Sequence, residues 1–198
     1  MGDREPTKGE LTRQTILDVA VERFGRDGFR VTSVADVARD ASVSGSAVHA
    51  YFPNKEALFL AALDQDAAQV IDDGVDLLIK TANRDEWHEL LILTLVGSLA
   101  THPLANRVLA GLEPDVTARV LDLPALAELR KGLAERLRSD QLDDVVRSDI
   151  DTSTMANGMV TIIMCLLVGV VQFGAAGVEL YGDDVVAFMQ AALDPIKS

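Results

Sequence analysis

Apolar residues recur along this chain at three- and four-residue spacing, and the strict alternation that marks strands is almost absent. Segment 10–27 sets Leu11, Thr15, Ile16, Val19, Ala20 and Phe24 near one face and halts at Gly28, a residue suited to the position after a helix. A short helix is expected from Ser33, where Ser33-Val34-Ala35-Asp36 has the form of a capping box, to about Asp40. Ala41-Ser42-Val43 makes a tight connection, Ser44 caps the next helix, and Pro53 stops it. Asn54 caps a helix reaching about Thr81, on the order of 40 Å long at 1.5 Å per residue. Pro103, Pro114 and Pro124 each stand where a further helix begins. Leu126, Leu129, Leu133 and Leu137 then share one face, and Val185, Met189, Ala192 and Ile196 are in register on the last helix. The expected fold is all-α. A three-helix N-terminal unit with a helix-turn-helix shape (residues 1–53) joins a helical C-terminal domain (54–198) through the helix that starts at Asn54.

One stretch departs from the amphipathic pattern. Residues Thr152 to Val178 hold no charged residue, and by length alone they qualify as a membrane span. Acidic residues flank both ends (Asp149 and Asp151; Glu179, Asp183 and Asp184), no Lys/Arg cluster marks an inside face, and Asn157 and Gln172 interrupt the run. The expectation is a helix buried on all sides, partly by its own chain and partly by a second copy. Gly158, Gly169, Gly174, Ala175, Ala176 and Gly177 suit close helix approach, so a homodimer with two helices per subunit at the interface is expected, and no membrane.

Composition sharpens this picture in three places. Hydrophobic residues make up 48% of the chain, more than an ordinary monomer core needs. The lone cysteine, Cys165, excludes an internal disulfide framework, and the charged start MGDREPTKGE has no apolar leader, so a cytoplasmic protein is expected. The net charge of −13 argues against nucleic acid as a global average, yet residues 1–55 carry eight basic and eight acidic residues and are neutral. All of the excess acid lies beyond them, which leaves the N-terminal end free to approach phosphates.

A helix-turn-helix shape alone is unspecific; the detailed run at residues 13–59 is not. Ile16-Leu17, Ala20, Phe24, Gly28-Phe29, Thr32-Ser33-Val34, Val37-Ala38, Ala41, Val43-Ser44, Tyr51-Phe52 and Lys55-Glu56-Ala57-Leu58-Phe59 follow one another without a gap. This run resembles the DNA-binding domain of the TetR (tetracycline-repressor-like) family, over about a quarter of the chain. Beyond it, only the helical layout is similar. The resemblance implies a transcriptional regulator, by default a repressor, that binds a double-stranded DNA operator as a homodimer and is released by a small-molecule effector held in the C-terminal domain.

On the residues themselves, Ile16, Leu17, Ala20, Phe24, Val34, Val37, Ala38, Val43 and Phe52 read as the small core of the unit. The helix from Ser44 to Tyr51 is placed to enter the major groove with its N-terminal residues toward base edges. Thr32 and Ser33, at the start of the preceding helix, and Lys55, at the start of the long one, are placed for phosphates. The candidate DNA-binding set is Thr32, Ser33, Ser44, Gly45, Ser46, Ala47, His49, Ala50, Tyr51 and Lys55. Ser42 stands at a turn position that is commonly glycine in the family, so left-handed strain or a different turn is expected. His49 replaces the first of two tyrosines, and reads either as a phosphate donor with pH dependence or as a plain polar contact. Gly45, Ser46, Ala47 and Ala50 leave little capacity for bidentate base contacts, so Ser46, His49, thymine-methyl contacts and DNA shape carry specificity. Arg4, Lys8 and Arg13 form either a basic arm or a disordered tail.

For the effector, Trp87, Leu91, Leu95, Met155, Met159, Met164 and Phe173 are candidate apolar lining, with His88, His102, Asn157 and Gln172 as polar anchors. Few aromatics means an aliphatic, adaptable pocket and an apolar or amphipathic ligand. An enzyme is not expected. The three histidines lack metal-ligand spacing, Cys165 lies in an apolar run, no nucleophile elbow or P-loop is present, and no cofactor is implied. The remaining alternative is a helical ligand-binding or interaction protein of this fold with little sequence-specific DNA binding.

Overall fold

A computed structural model describes residues 5–81 and 94–194. Among them the regular structure is helical and there is no strand. The N-terminal unit is α1 (Lys8–Asp27), α2 (Val34–Asp40) and α3 (Gly45–Tyr51), followed by the long α4 (Lys55–Thr81). Residues 94–98 (α5) run into a 3-10 turn, Leu99–Thr101. Then come α6 (Pro103–Leu109), α7 (Pro114–Thr117) with a 3-10 turn at Ala118–Asp122, α8 (Pro124–Leu142), α9 (Thr152–Phe173) and α10 (Ala175–Leu193).

Local chemistry explains most of these boundaries. Thr7 and Glu10 form a reciprocal capping box on α1, and Ser33 and Asp36 form one on α2. Ser44 Oγ accepts from Ala47 N–H (3.1 Å) and Asn54 Oδ1 from Ala57 N–H (2.8 Å), which starts α3 and α4. Gly28 ends α1 at φ 85°, and Ser42 takes the left-handed value of 56° that its turn requires. Helices α6 and α8 both begin with proline and have no side-chain cap from the residue before them. Their caps come from α4. Asp66 Oδ2 accepts from Leu104 and Ala105 N–H (3.0 and 2.7 Å), and Asp64 Oδ1 from Ala125 N–H (2.9 Å).

The Asp36 box is also a pH sensor of local stability. Its bonds from the Ser33 hydroxyl and backbone, then from Arg39, pull the carboxyl down from 3.8 to about 2. A folded value below the unfolded one gives stabilisation that is complete above about pH 4 and disappears as the pH falls toward about 2. Asp36→Asn is therefore expected to lower the thermal midpoint at neutral pH, with the gap to wild type closing across that window. A gap that stays constant as the pH falls would mean that the cap works without its charge.

In the N-terminal unit Ile16, Leu17, Ala20, Phe24, Val37, Ala38, Val48 and Phe52 are buried, while Val34 and Val43 pack partly buried at the edge. The buried stripe of α1 starts later than its spacing suggests. Leu11 is exposed, and Thr15 is exposed with its hydroxyl turned back on the Leu11 carbonyl (2.9 Å). Phe24, Phe29 and Phe59 meet in an aromatic cluster, with Phe59 edge-on to both partners at centroid distances of 5.0 and 5.1 Å. Because Phe59 lies on α4, this cluster welds the small unit to the body.

The charge-free stretch is not one helix. Gly174 at φ 67° ends α9 after Phe173, and α10 turns back along it. By length and composition alone α9 is able to cross a membrane. Here Ala156, Met159, Val160, Ile163 and Leu167 are buried as it packs on α8 and α10. Burial is one-sided rather than all round: Asn157, Gly158, Thr161 and Cys165 are exposed in the single chain.

Candidate nucleic-acid interface and internal cavity

Helix α3 is anchored by Val48, which is fully buried, and by Phe52 just past its end. Anchoring that side turns Gly45, Ser46, His49 and Ala50 outward, with Ala47 half-buried beside them. Val48 was absent from the expected core, although its place one turn before Phe52 on the same side of the helix is a readable signal. Ser46 Oγ lies 2.9 Å from Ser44 Oγ, so the cap and the first outward hydroxyl form one polar tip. No atom lies within 4 Å of where a side chain at Gly45 would begin, which leaves the tip open for close approach. Tyr51 is exposed, and its hydroxyl stands against Gly9 of α1, 3.5 Å from a Cβ built there.

Two expected phosphate ligands have intramolecular surroundings that the sequence did not show. Thr32 is 1% exposed and its hydroxyl is buried, so burial rather than phosphate defines its environment. Lys55 Nζ donates to the carbonyls of Phe29 (2.8 Å), Thr32 (3.0 Å) and Arg30 (3.4 Å), and sits 4.5 Å above the Phe29 ring. An ammonium has three donors, and all three are used on this turn. Lys55→Met is expected to lower stability by about 2 kcal/mol, with the salt dependence of any DNA affinity unchanged. A salt slope shallower by about one would instead make Lys55 a phosphate contact. Ser33 also spends its hydroxyl locally, donating to Asp36 Oδ2 at 2.6 Å.

The charges of the unit are largely paired. Arg23 bridges Asp27, Asp36 and Asp40, Arg39 holds Asp36, and Arg30 reaches Asp115 of α7 at 2.8 Å. Lys8 and Arg13 are exposed on α1, with the Arg13 guanidinium 5.3 Å from the Phe52 ring centroid. Arg4 lies outside the described residues. Among its described residues the unit thus presents a polar tip on a body whose charges are largely paired.

Inside the body, α4, α6, α8, α9 and the turn after α5 enclose a cavity walled by Leu63, Ala67, Val70, Ile71, Leu95, Leu99, Ala105, Val108, Leu109, Leu126, Leu129, Val160, Ile163, Met164 and Leu167. Its wall is entirely aliphatic side chains apart from the methionine. About 60 Å³ is open to the centre of a water-sized sphere. Of the expected effector ligands, Leu95 and Met164 are in this wall. Met155 and Met159 face a separate open groove between α9 and α10. Gln172 donates to the Leu109 carbonyl (3.0 Å) from an exposed position, and Phe173 is exposed. His102 is buried against Asp66 (Nδ1 to Oδ1, 2.9 Å), with Asp73 3.4 Å from its other nitrogen, so its ring joins the carboxylate that caps α6 and is not part of the cavity wall. Asn157 is on the outer face of α9. Trp87, His88 and Leu91 lie outside the described residues. The acidic residues Asp64 and Asp66 went unnoticed in the sequence, where nothing local marks a carboxylate that caps another helix.

Residues 16–62 match the family model for bacterial regulatory proteins of the tetR family. The HTH-type transcriptional regulator BetI of Brucella abortus (strain 2308) is 28% identical over 101 residues, which is 51% of this chain and 50% of that one. The chain spans half or less of the length of the curated relatives that it matches first. A TetR-family transcriptional regulator from Pectobacterium atrosepticum has a similar structure, with a TM-score of 0.76 at 18% identity over 98% of this chain and 99% of that one. FadR of Thermus thermophilus, a TetR-family transcriptional repressor in complex with lauroyl-CoA, has a TM-score of 0.65 at 23% identity over 94% and 97% of the two chains. At these identities the structural likeness is one of fold.

Proposed function

We propose that this chain, whose residues 16–62 match the family model for bacterial regulatory proteins of the tetR family, is a DNA-binding transcriptional repressor whose hold on its operator is released by an aliphatic effector. One observation carries the reading. A polar, open-tipped α3 lies at one end of the molecule, and the helix that follows it, α4, forms a wall of a wholly apolar cavity. Ser46 and His49 make the direct contacts to DNA, Ala47 and Ala50 touch thymine methyls, and Ser33, Ser44 and Tyr51 contact the backbone. The effector has a straight hydrocarbon part that occupies the cavity and a polar end left outside it, because the described residues of the wall offer no hydrogen-bonding side chain. The lauroyl-CoA held by the Thermus relative has such a shape.

The protein works as a homodimer through the outer faces of α9 and α10, where Cys165 and the 64% exposed Phe188 are uncovered in the single chain. Sedimentation as a monomer at micromolar concentration would overturn that part. Two half-sites on the same face of the duplex lie about 34–36 Å apart, so the separation of the two α3 helices decides whether both dock.

Fluorescence anisotropy with duplex from the chain's own upstream region, against scrambled duplex at two salt concentrations, tests the reading. Wild type is expected to prefer its own duplex and to lose that preference when dodecanoic acid is added. Ser46→Ala combined with His49→Ala is expected to reduce the preference by about tenfold. An unchanged preference would transfer specificity to DNA shape. If wild type shows no preference on any genomic fragment, the second reading holds: a helical ligand-binding protein of the same fold. The pairing of most cations in the head with acids favours that alternative.

A further inference from the structure

We propose that the outer groove between α8 and α9 is a binding site for an anion carrying a diphosphate group, held by the guanidiniums of Arg130 and Arg138. The site lies outside the apolar cavity and is independent of the reading of α3. Beyond residue 55 the chain has ten Lys/Arg residues against 23 acidic ones, and three of the ten, Arg130, Lys131 and Arg138, line this one groove. The other described arginines of the body are committed, Arg107 to Glu113, Arg119 to Glu56, Arg136 to Asp140 and Arg147 to Asp149. Among the described residues Arg130 and Arg138 have neither an ion pair nor a side-chain hydrogen bond. A guanidinium left unpaired on a chain with this excess of acid is free to grip a ligand with its fork of donors.

Helical spacing gathers these groups. Arg130, Ala134 and Arg138 follow one another every four residues on α8, and Ser153 and Asn157 do the same on α9 across the groove. Ala134 is buried, and its single methyl group keeps the floor between the two arginines low. The open space is about 280 Å³. Ser153 and Asn157 are exposed, and neither side chain has a hydrogen-bond partner among the described residues, so a hydroxyl and an amide can donate to the same ligand. Two of the acids nearby are occupied. Glu128 pairs with Lys131 at 3.7 Å, and Asp151 accepts from the Thr154 N–H and hydroxyl (2.7 and 2.8 Å). Those two bonds, and Arg138 at longer range, hold the Asp151 carboxyl below its usual range. Glu135 on the rim opposes any anion, so a single carboxylate gains little here. Arg130 and Arg138 stand two turns apart, about 12 Å along the helix. Two linked phosphate groups give each guanidinium its own pair of oxygens.

Isothermal titration of the full chain with sodium diphosphate, against sodium chloride at equal ionic strength, tests the site without DNA or effector. Diphosphate is expected to bind once per chain and chloride to give no saturable heat. Orthophosphate should bind about tenfold more weakly, because it reaches one guanidinium at a time. Arg130→Gln combined with Arg138→Gln is expected to weaken diphosphate about a hundredfold, roughly tenfold for each charge-assisted contact. Neither side chain is buried, and an unchanged thermal midpoint without ligand verifies that this variant folds. Lys8→Gln combined with Arg13→Gln removes two exposed cations of the head and should leave the affinity as it was. Loss in the head variant with none in the α8 variant would overturn the proposal and move the anion to the DNA-reading end. Heat no greater than that of chloride would overturn it as well. If the α8 variant sediments as a monomer where wild type is a dimer, and binds diphosphate unchanged, the groove is a contact between copies and the proposal fails. ADP carries the same group on a nucleoside. Tighter binding than diphosphate would assign a nucleotide to the site, and equal binding the free anion.

Discussion

Truncating Phe24 to alanine is expected to lower the stability of the chain by about 4 kcal/mol, one of the largest effects open to a single substitution. Phe24 is fully buried, its ring lies 5.0 Å from that of Phe59, and Phe29 stands on its other side at 6.3 Å. Removal takes away the transfer free energy of a whole ring and leaves a cavity that the surrounding elements hold open. The partners come from α1, α4 and the turn between α1 and α2, so no single movement closes the gap. Since domains are stable by only ~5–15 kcal/mol, much of the head would be unfolded near its growth temperature and DNA binding would fall with it. Urea titration followed by circular dichroism measures the change, and Phe24→Leu should cost less than half as much. A loss below about 1 kcal/mol would mean that the head relaxes around the void.

Gly28→Val is expected to destabilise by about 3 kcal/mol or more, although it adds apolar surface. Gly28 has φ 85° and ψ 167°, in the region open essentially to glycine alone. A Cβ there would also overlap the Arg107 guanidinium and stand 2.7 Å from Glu113 Oε1. Moving Glu113 away breaks its bond to Phe29 N–H, so backbone strain and a lost hydrogen bond act together. The control is Gly45→Ala, where no atom lies within 4 Å and the backbone is helical. That change should be neutral or stabilising by up to ~1 kcal/mol. Equal thermal midpoints for the two variants would refute the account of Gly28.

Lys55 and Thr32 have surroundings in the folded chain that their sequence positions do not show. Both positions follow the family pattern, and both lie where phosphate contacts are made in the resemblance. In the folded chain Thr32 is buried and Lys55 donates to three carbonyls, and neither fact is visible one residue at a time. The effector residues show a second limit. Met155 and Met159 sit one turn apart, and Val160 and Met164 likewise, yet the first pair faces α10 and the second faces the cavity. On a helix that is apolar all round, a step of one residue rotates the direction by about 100°, so periodicity could not say which apolar face lines the cavity.

By itself, the sequence determined what local chemistry controls. Ser33, Ser44 and Asn54 start their helices, Gly28 ends one, Ser42 turns with a positive φ, and the three prolines each open a helix, because caps, φ and missing N–H groups depend on neighbours a few residues away. Most of the core of the head was legible from its spacing, with Val48 as the fully buried residue it missed. Tertiary structure alone decided the rest: that Asp64 and Asp66 cap helices 61 and 38 residues further on, that His102 pairs with Asp66, and that the described residues around the internal cavity are apolar. Those outcomes depend on which faces meet in space, and the free energy of a buried polar group is fixed by the partners that fold brings to it.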